Sequence, residues 1–365
     1  MAVLEFTVSP EEAGSRLDVV VTTHIVKVHP RAAGFTRSQA QRMIEAGWIR
    51  VDGEVRPKGY RLSEGERVVV ERLEEPTRPG GLHPLERYYV EGNLIEVLYA
   101  DQYLAVLNKP RGLAVHHTPG SNLPALINIL PEMFPALRKR RDPNRGGLVH
   151  RLDKQTSGVL VIALDVQTHQ LIADQFKKRQ VRKEYLAICY HTPPQAEGLV
   201  RLTLSRHPRS RKKMVPQEEG RESLTRYRFL HRWGESYSEM LFYPLTGRTH
   251  QIRVHADYLG VPIVGDELYA RRYNQYLYRL LRDPGYRHAP PFIRKLVEAE
   301  SFPQWSRALL ESPGQLLHAR RLTFLHPWKG EEMTFTAPEP EIFTLTRSLL
   351  DELYPRSDQL SREEE

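Results

Sequence analysis

Residues 148–163 read Leu-Val-His-Arg-Leu-Asp-Lys-Gln-Thr-Ser-Gly-Val-Leu-Val-Ile-Ala. A tight polar loop runs directly into an apolar run, Val159–Ala163, which predicts a strand with the loop held at the edge of a sheet. Asp153 lies in that loop between Arg151 and Lys154, two cations that can keep its carboxylate ionised beside a bound polyanion. Taken alone, Asp153 reads better as a turn former paired with those neighbours.

Outward from this strand the pattern repeats. Leu94–Leu98, Tyr103–Leu107, Tyr185–Tyr190, Ser223–Leu230, Ser238–Tyr243 and Ile252–His255 are further short β-like runs, and Val166–Phe176 has helical spacing. Many strands with few long helices between them predict an α+β fold with a mixed, mainly antiparallel sheet. Residues 270–314 are aromatic- and arginine-rich, broken by prolines, and read as an insertion. Near the N-terminus, Thr36 with Gln39 forms a capping-box signal that predicts a helix over 37–46, with Ala40, Met43, Ile44 and Ala46 inward and Arg37 and Arg42 toward solvent. Asp52-Gly53 between Trp48–Val51 and Glu54–Arg56 predicts a tight hairpin, and Arg67–Glu71 a closing strand. The expected organisation is a tail over 1–14, a small basic α/β unit over 15–72, a proline-rich linker over 73–88, a main domain over 89–355 and a tail over 356–365.

Composition narrows the function. The chain has 365 residues with 53 Lys+Arg against 45 Asp+Glu, a net charge of +8, and 40% hydrophobic residues, an ordinary globular balance. Basic clusters at 138–145, 177–183 and 206–213 favour a polyanionic partner such as nucleic acid. The single cysteine, Cys189, excludes a disulfide framework and any multi-cysteine metal centre. There is no apolar run long enough for a bilayer and no leader-like start, so a cytoplasmic protein without membrane contact is expected, and a monomer. No phosphate loop, dinucleotide fingerprint or HExxH is present, and the 15 histidines lack ligand spacing. His116-His117 reads as a polar turn. Neither a metal nor a cofactor is expected.

The stretch His150-Arg151-Leu152-Asp153-Lys154-Gln155-Thr156-Ser157-Gly158 resembles the catalytic motif of the RluA-type pseudouridine synthases. Four further blocks resemble that family in order: Asn108-Lys109-Pro110 through His116, Arg182–Ala187, Thr246–His255 continuing to Pro262–Asp266, and Leu317–Arg320 with Phe324–Pro327. Residues 15–72 are similar to the RNA-binding unit named after ribosomal protein S-four. The segment 204–227 is closer to the branch acting on large-subunit rRNA. The resemblance implies an enzyme with a central RNA cleft that isomerises uridine to pseudouridine in structured RNA, without cofactor or metal. It implies that Asp153 is the essential carboxylate, attacking covalently or abstracting the ribose 2′ proton, and that Arg253 is its basic partner. Tyr185 then stacks on the target base and serves in removal of the carbon 5 proton. Arg151 fills the gap left by the extruded uridine. Arg248 and His250 are candidate RNA contacts or loop-ordering residues, Lys109 is a candidate phosphate contact or a solvated turn lysine, and Arg37 and Arg42 are candidate contacts of the N-terminal unit. Competing readings are a synthase for tRNA or another RNA, a non-catalytic RNA-binding or ribosome-assembly protein, and a glycoside-cleaving enzyme, which lacks the usual paired carboxylates.

Overall fold

The computed structural model describes residues 4–28, 37–45, 47–71, 87–90, 93–117, 125–139, 146–210 and 212–355. The chain divides into two compact units, 1–83 and 84–365.

In the first unit, β1 (Leu4–Thr7), β2 (Ile49–Val51) and β3 (Arg67–Val70) form an antiparallel sheet in the order β1-β3-β2, with helices α1 (Leu17–Val28) and α2 (Arg37–Glu45). Residues 4–7 were expected within a tail. They instead pair along the whole of β3, Leu4 opposite Val70 and Thr7 opposite Arg67, because an unpaired β3 edge beside Val68 and Val70 would leave ladder groups unsatisfied. The predicted turn is present: Asp52 and Gly53 both have positive φ, 50° and 80°, as a two-residue turn of the primed type requires. Its returning strand is a single bridge, Val51 to Glu54. Ala40, Met43 and Ile44 pack on Leu17, Val21 and Ile25 in the core of this unit. Thr36, Ala46 and the side chains of Gln39 and Arg42 lie outside the described residues, as do 72–86, 140–145 and 356–365.

The second unit holds one large sheet. Its strands are β4 (Arg87–Val90), β5 (Asn93–Ala100), β6 (Leu104–Lys109), β7 (Ser157–Ala163), β8 (Arg182–Tyr190), β9 (Glu197–Arg206), β10 (Met214–Pro216), β11 (Arg221–Trp233), β12 (Tyr237–Pro244), β13 (Leu317–Leu325) and β14 (Glu332–Thr336). The order is β10-β9-β11-β12-β8-β13-β7-β6-β5-β4, and β14 pairs with β13. All these pairs are antiparallel except β13 with β7. There β7 meets only His318 and Ala319, while β14 pairs with Arg321–Leu325. The helices are α3 (Leu126–Met133), α4 (Val166–Lys177), α5 (Gln251–Tyr258), α6 (Arg271–Arg282), α7 (Pro291–Arg294), α8 (Phe302–Glu311) and α9 (Glu341–Leu353).

All seven residues of β7 are buried, which is why the sequence shows a continuous apolar run there. The segment 270–314 is part of the core. Leu277, Leu280, Ile293 and Trp305 pack with Tyr190, Phe343 and Leu350, and the Trp305 indole donates to Thr346 Oγ1 at 2.9 Å. Ile252–His255, expected as a strand, belongs to α5. Every residue from Gln251 to Ala256 is buried, so no polar stripe marks the helical period in the sequence. No helix among the described residues is long and apolar enough to cross a membrane.

Candidate active site

The loop before β7 brings Asp153 to the mouth of a cavity of about 450 Å³ bounded by Arg151, Lys183, Tyr185, Arg248, His250 and Arg253. Three contacts fix the loop. Gly158 has φ of 114°, and a Cβ there would strike the backbone of Ala319 on β13, so only glycine lets the parallel pair close. Ser157 Oγ bonds buried His318 Nδ1 at 2.9 Å, and Thr156 Oγ1 accepts from Gln315 Nε2 at 3.1 Å.

Arg253 reaches the loop from α5. Its Nε and Nη2 donate to Asp266 at 2.6 and 2.8 Å, and Nη1 donates to Asp153 Oδ2 at 3.1 Å. Asp266 is fully buried and also accepts from the backbone N–H groups of Leu268 and Tyr269 at 2.9 and 3.1 Å. Burial opposes a charge on Arg253, but the hydrogen bonds and charge of Asp266, with Asp153 behind them, outweigh it and hold its pKa above the ordinary value. One guanidinium therefore orients Asp153 while anchored by a second carboxylate. Asp153 Oδ1 has no partner among the described residues, and the side chain retains 18% exposure.

The other predicted residues divide. Tyr185, half-buried on β8, lines the cavity, and burial together with the Asp153 charge pushes its phenol above the usual range. Arg151 is exposed at the rim. His250 Nε2 stands 3.9 Å from Asp153 Oδ2, and its Nδ1 bonds Tyr269 Oη at 3.1 Å. Burial lowers its pKa, against the pull of Asp153. Arg248 Nε donates to the Glu222 carbonyl at 3.1 Å while its N–H donates to Gln251 Oε1 at 3.0 Å, so its guanidinium ties the loop to β11. Arg37, half-exposed in the first unit, bonds buried Asp18 at 3.0 Å.

Lys109 requires a correction. It is fully buried, and its ammonium donates to the carbonyls of Pro110, Leu113 and Lys154 at 2.7, 2.9 and 3.1 Å. An ammonium enclosed by three carbonyls cannot reach RNA. It clamps the Asp153 loop from behind, and burial pushes its pKa down to about 7.

Three features of the site escaped sequence reasoning. Gln251 accepts from Thr246 Oγ1 at 2.7 Å and donates to Leu224 O and Thr225 Oγ1, both at 2.9 Å, and so sets the 246–250 loop. Lys183 lines the cavity with its pKa lowered to about 8, by burial and then by Arg179. Asp266 carries the aspartate of the quoted block but has no sequence feature marking it as the anchor of Arg253. Among the described residues there is no cluster of three or more side chains able to hold a metal ion.

Comparison with known proteins fits this geometry. The family model for RNA pseudouridylate synthase matches residues 103–258, the stretch holding Asp153, Tyr185 and Arg253, and the S4 domain model matches 33–68. An RNA pseudouridine synthase from Aquifex aeolicus, described as uncharacterized, is 34% identical over 97% of this chain and 98% of its own length. The chain belongs to the RNA pseudouridine synthase family. The synthase is also 34% identical, over 96% of its length and 93% of the relative's, to ribosomal large subunit pseudouridine synthase D of Xanthomonas campestris. Among solved structures, human RNA pseudouridylate synthase domain containing 4 aligns with a TM-score of 0.50 and 28% identity, over 70% of this chain and 92% of that one.

Proposed function

We propose that this synthase converts specific uridines to pseudouridine in large-subunit ribosomal RNA, with Asp153 as the essential carboxylate. The observation that carries the reading is the Asp153–Arg253–Asp266 arrangement: one carboxylate oxygen held by a guanidinium, the other free in the lining of a cavity. That cavity lies within the usual size range for small-ligand sites, about 300–1,000 Å³, and so suits a single extruded nucleotide.

The reaction breaks the bond from ribose to uracil N1, turns the base and joins C5 to the ribose. Substrate and product are isomers, so the balance needs no redox partner. Attack by Asp153 on the sugar or base, and abstraction of the ribose 2′ proton, both need a charged, oriented oxygen, and the hydrogen bond from Arg253 supplies the orientation. The C5 proton must then leave. Tyr185 is suited to assist, because part of what holds its phenol protonated is the Asp153 charge, and that charge disappears if Asp153 becomes covalently bound. The buried glycosidic bond of a stacked residue is out of reach, so the uridine leaves its stack at a cost of a few kcal/mol, lowest in a loop or bulge. Arg151, free at the rim, is suited to occupy the gap. The S4-like unit, with Arg37 and Arg42, supplies additional RNA affinity. Acting on ribosomal RNA, the synthase would work in the cytoplasm as a monomer. The name of the Xanthomonas relative supports ribosomal RNA over tRNA.

The test is release of tritium from RNA labelled at uracil C5, since that hydrogen is exchanged only when C5 bonds to ribose. Release from a large-subunit rRNA transcript and not from tRNA supports the reading. Release from tRNA alone moves the substrate, and release from neither, by soluble folded protein, overturns it.

A further inference from the structure

The sheet face turned away from the cavity carries a second concentration of unpaired charge. Tyr185 lines the cavity and Phe242 stands opposite it in register. Side chains alternate along a strand, so the next residue of β12, Tyr243, and its β11 neighbour Arg226 project from the reverse face. The β11 alternation agrees. Ser223 and Thr225 bond His255 and Gln251 of α5 on the cavity side, which leaves Leu224, Arg226 and Arg228 on the other. Arg201 of β9 pairs with Leu224, and so lies diagonal to Arg226, at a typical separation of about 7–8 Å.

Arg201, Arg226 and Arg228 are all exposed, and among the described residues none has a carboxylate within ion-pair distance. The acidic groups nearby are few. Glu197 faces Arg228 in register without closing on it, and Glu184 is engaged by Arg320 at 3.2 Å and Arg321 at 3.9 Å. Glu184 and, with opposite sign, Arg228, Arg320 and Arg321 lie close enough to act electrostatically on the Tyr243 phenol. Beside Arg226 stands Leu199, 49% exposed.

Like charges crowded on one sheet face repel, so stability gives no reason for this cluster. Arginines interleaved with an aromatic and an exposed apolar side chain are suited to phosphates and the sugar or base surfaces beside them. We propose that the face carrying Arg201, Arg226 and Arg228 around Tyr243 is a second RNA-contact surface, taking the phosphate backbone of a substrate segment remote from the reacting uridine. This rests on the reading of the protein as an RNA-modifying synthase. It predicts that long RNAs are held at two places and short ones at the cavity side alone.

The experiment compares the full-length protein with Arg201→Gln/Arg226→Gln/Arg228→Gln and with the corresponding triple lysine variant. Binding is measured on a domain-length rRNA fragment and on a short stem-loop containing the target uridine, across a salt series. On the long RNA the glutamine variant should lose about tenfold or more in affinity, and the slope of log affinity against log salt should fall by about two to three, near one per lost phosphate contact. The lysine variant should recover most of both. Stem-loop affinity and its single-turnover rate at saturation should stay within twofold or so of wild type. Unchanged long-RNA binding by a folded glutamine variant overturns the proposal, and assigns the face to an acidic protein if such a partner is lost instead. Equal losses on both RNAs also overturn it. Failure of the wild-type protein to bind or convert either RNA contradicts the functional reading rather than this surface.

Discussion

Arg253 serves two carboxylates from one planar fork, and its geometry determines what a substitution does. Two donors go to Asp266 and one to Asp153. Lysine keeps a charge but offers no fork, so Arg253→Lys should hold Asp266 or orient Asp153, not both. With one preorganised contact to the reacting carboxylate lost, kcat should fall about 10²- to 10³-fold while RNA affinity stays within about threefold. Single-turnover kinetics with a filter-binding control measure both, and a kcat within a few-fold of wild type would contradict the assigned geometry. At this scale Asp153, Tyr185 and Arg253 were legible because they stand in ordered blocks resembling one family. Asp266 and Gln251 stand in one of those blocks too, but their roles were not legible, since these are a matter of partners 13 and 26–27 residues away. Lys109 was misread for a related reason: nothing in a sequence distinguishes a lysine folded back on carbonyls from one reaching into solvent.

The elements teach the same lesson through periodicity. β7 announced itself because both its faces are covered. α5 did not, because its buried side reaches around most of the helix and its start depends on the side chain of Gln251. His250, at the left-handed φ of 56°, ends the preceding loop there. β1 was lost for want of context, four residues whose only reason to be a strand is the open edge of β3. The junction of β7 with β13 gives the sharpest prediction at this scale. Gly158→Ala places a methyl against the Ala319 backbone at a φ that side chains rarely adopt. The strands must part, at a cost of about 3 kcal/mol or more, and the Asp153 loop moves with them. Thermal melts and activity should fall together. A variant with wild-type melting and turnover would show that the strands do not need this close approach.

At the scale of the whole molecule, half-buried His150 and buried His255 and His318 couple stability to pH. Burial lowers His150 to about 3, and His255 and His318 to about 4. His150 is additionally lowered by Lys183, and each of the three bonds as a neutral ring. In the unfolded chain they titrate near 6.5, so between about 6.5 and 4 the unfolded state binds protons that the native state refuses. Stability is therefore full above pH 6.5 and is lost as pH falls through that window, by up to roughly 2 kcal/mol for each histidine at pH 5. Urea midpoints at pH 7 and pH 5 measure this, and a midpoint independent of pH over that interval would contradict it. The most direct test of the central claim is a pseudouridine map of ribosomal and transfer RNA, by carbodiimide labelling and primer extension. It compares cells containing the protein, cells lacking it, and cells with only Asp153→Asn. The prediction is that one or a few large-subunit rRNA marks vanish on deletion and are not restored by Asp153→Asn, although that variant is folded and binds RNA. Restoration of those marks by Asp153→Asn would contradict it, as would a map unchanged by deletion.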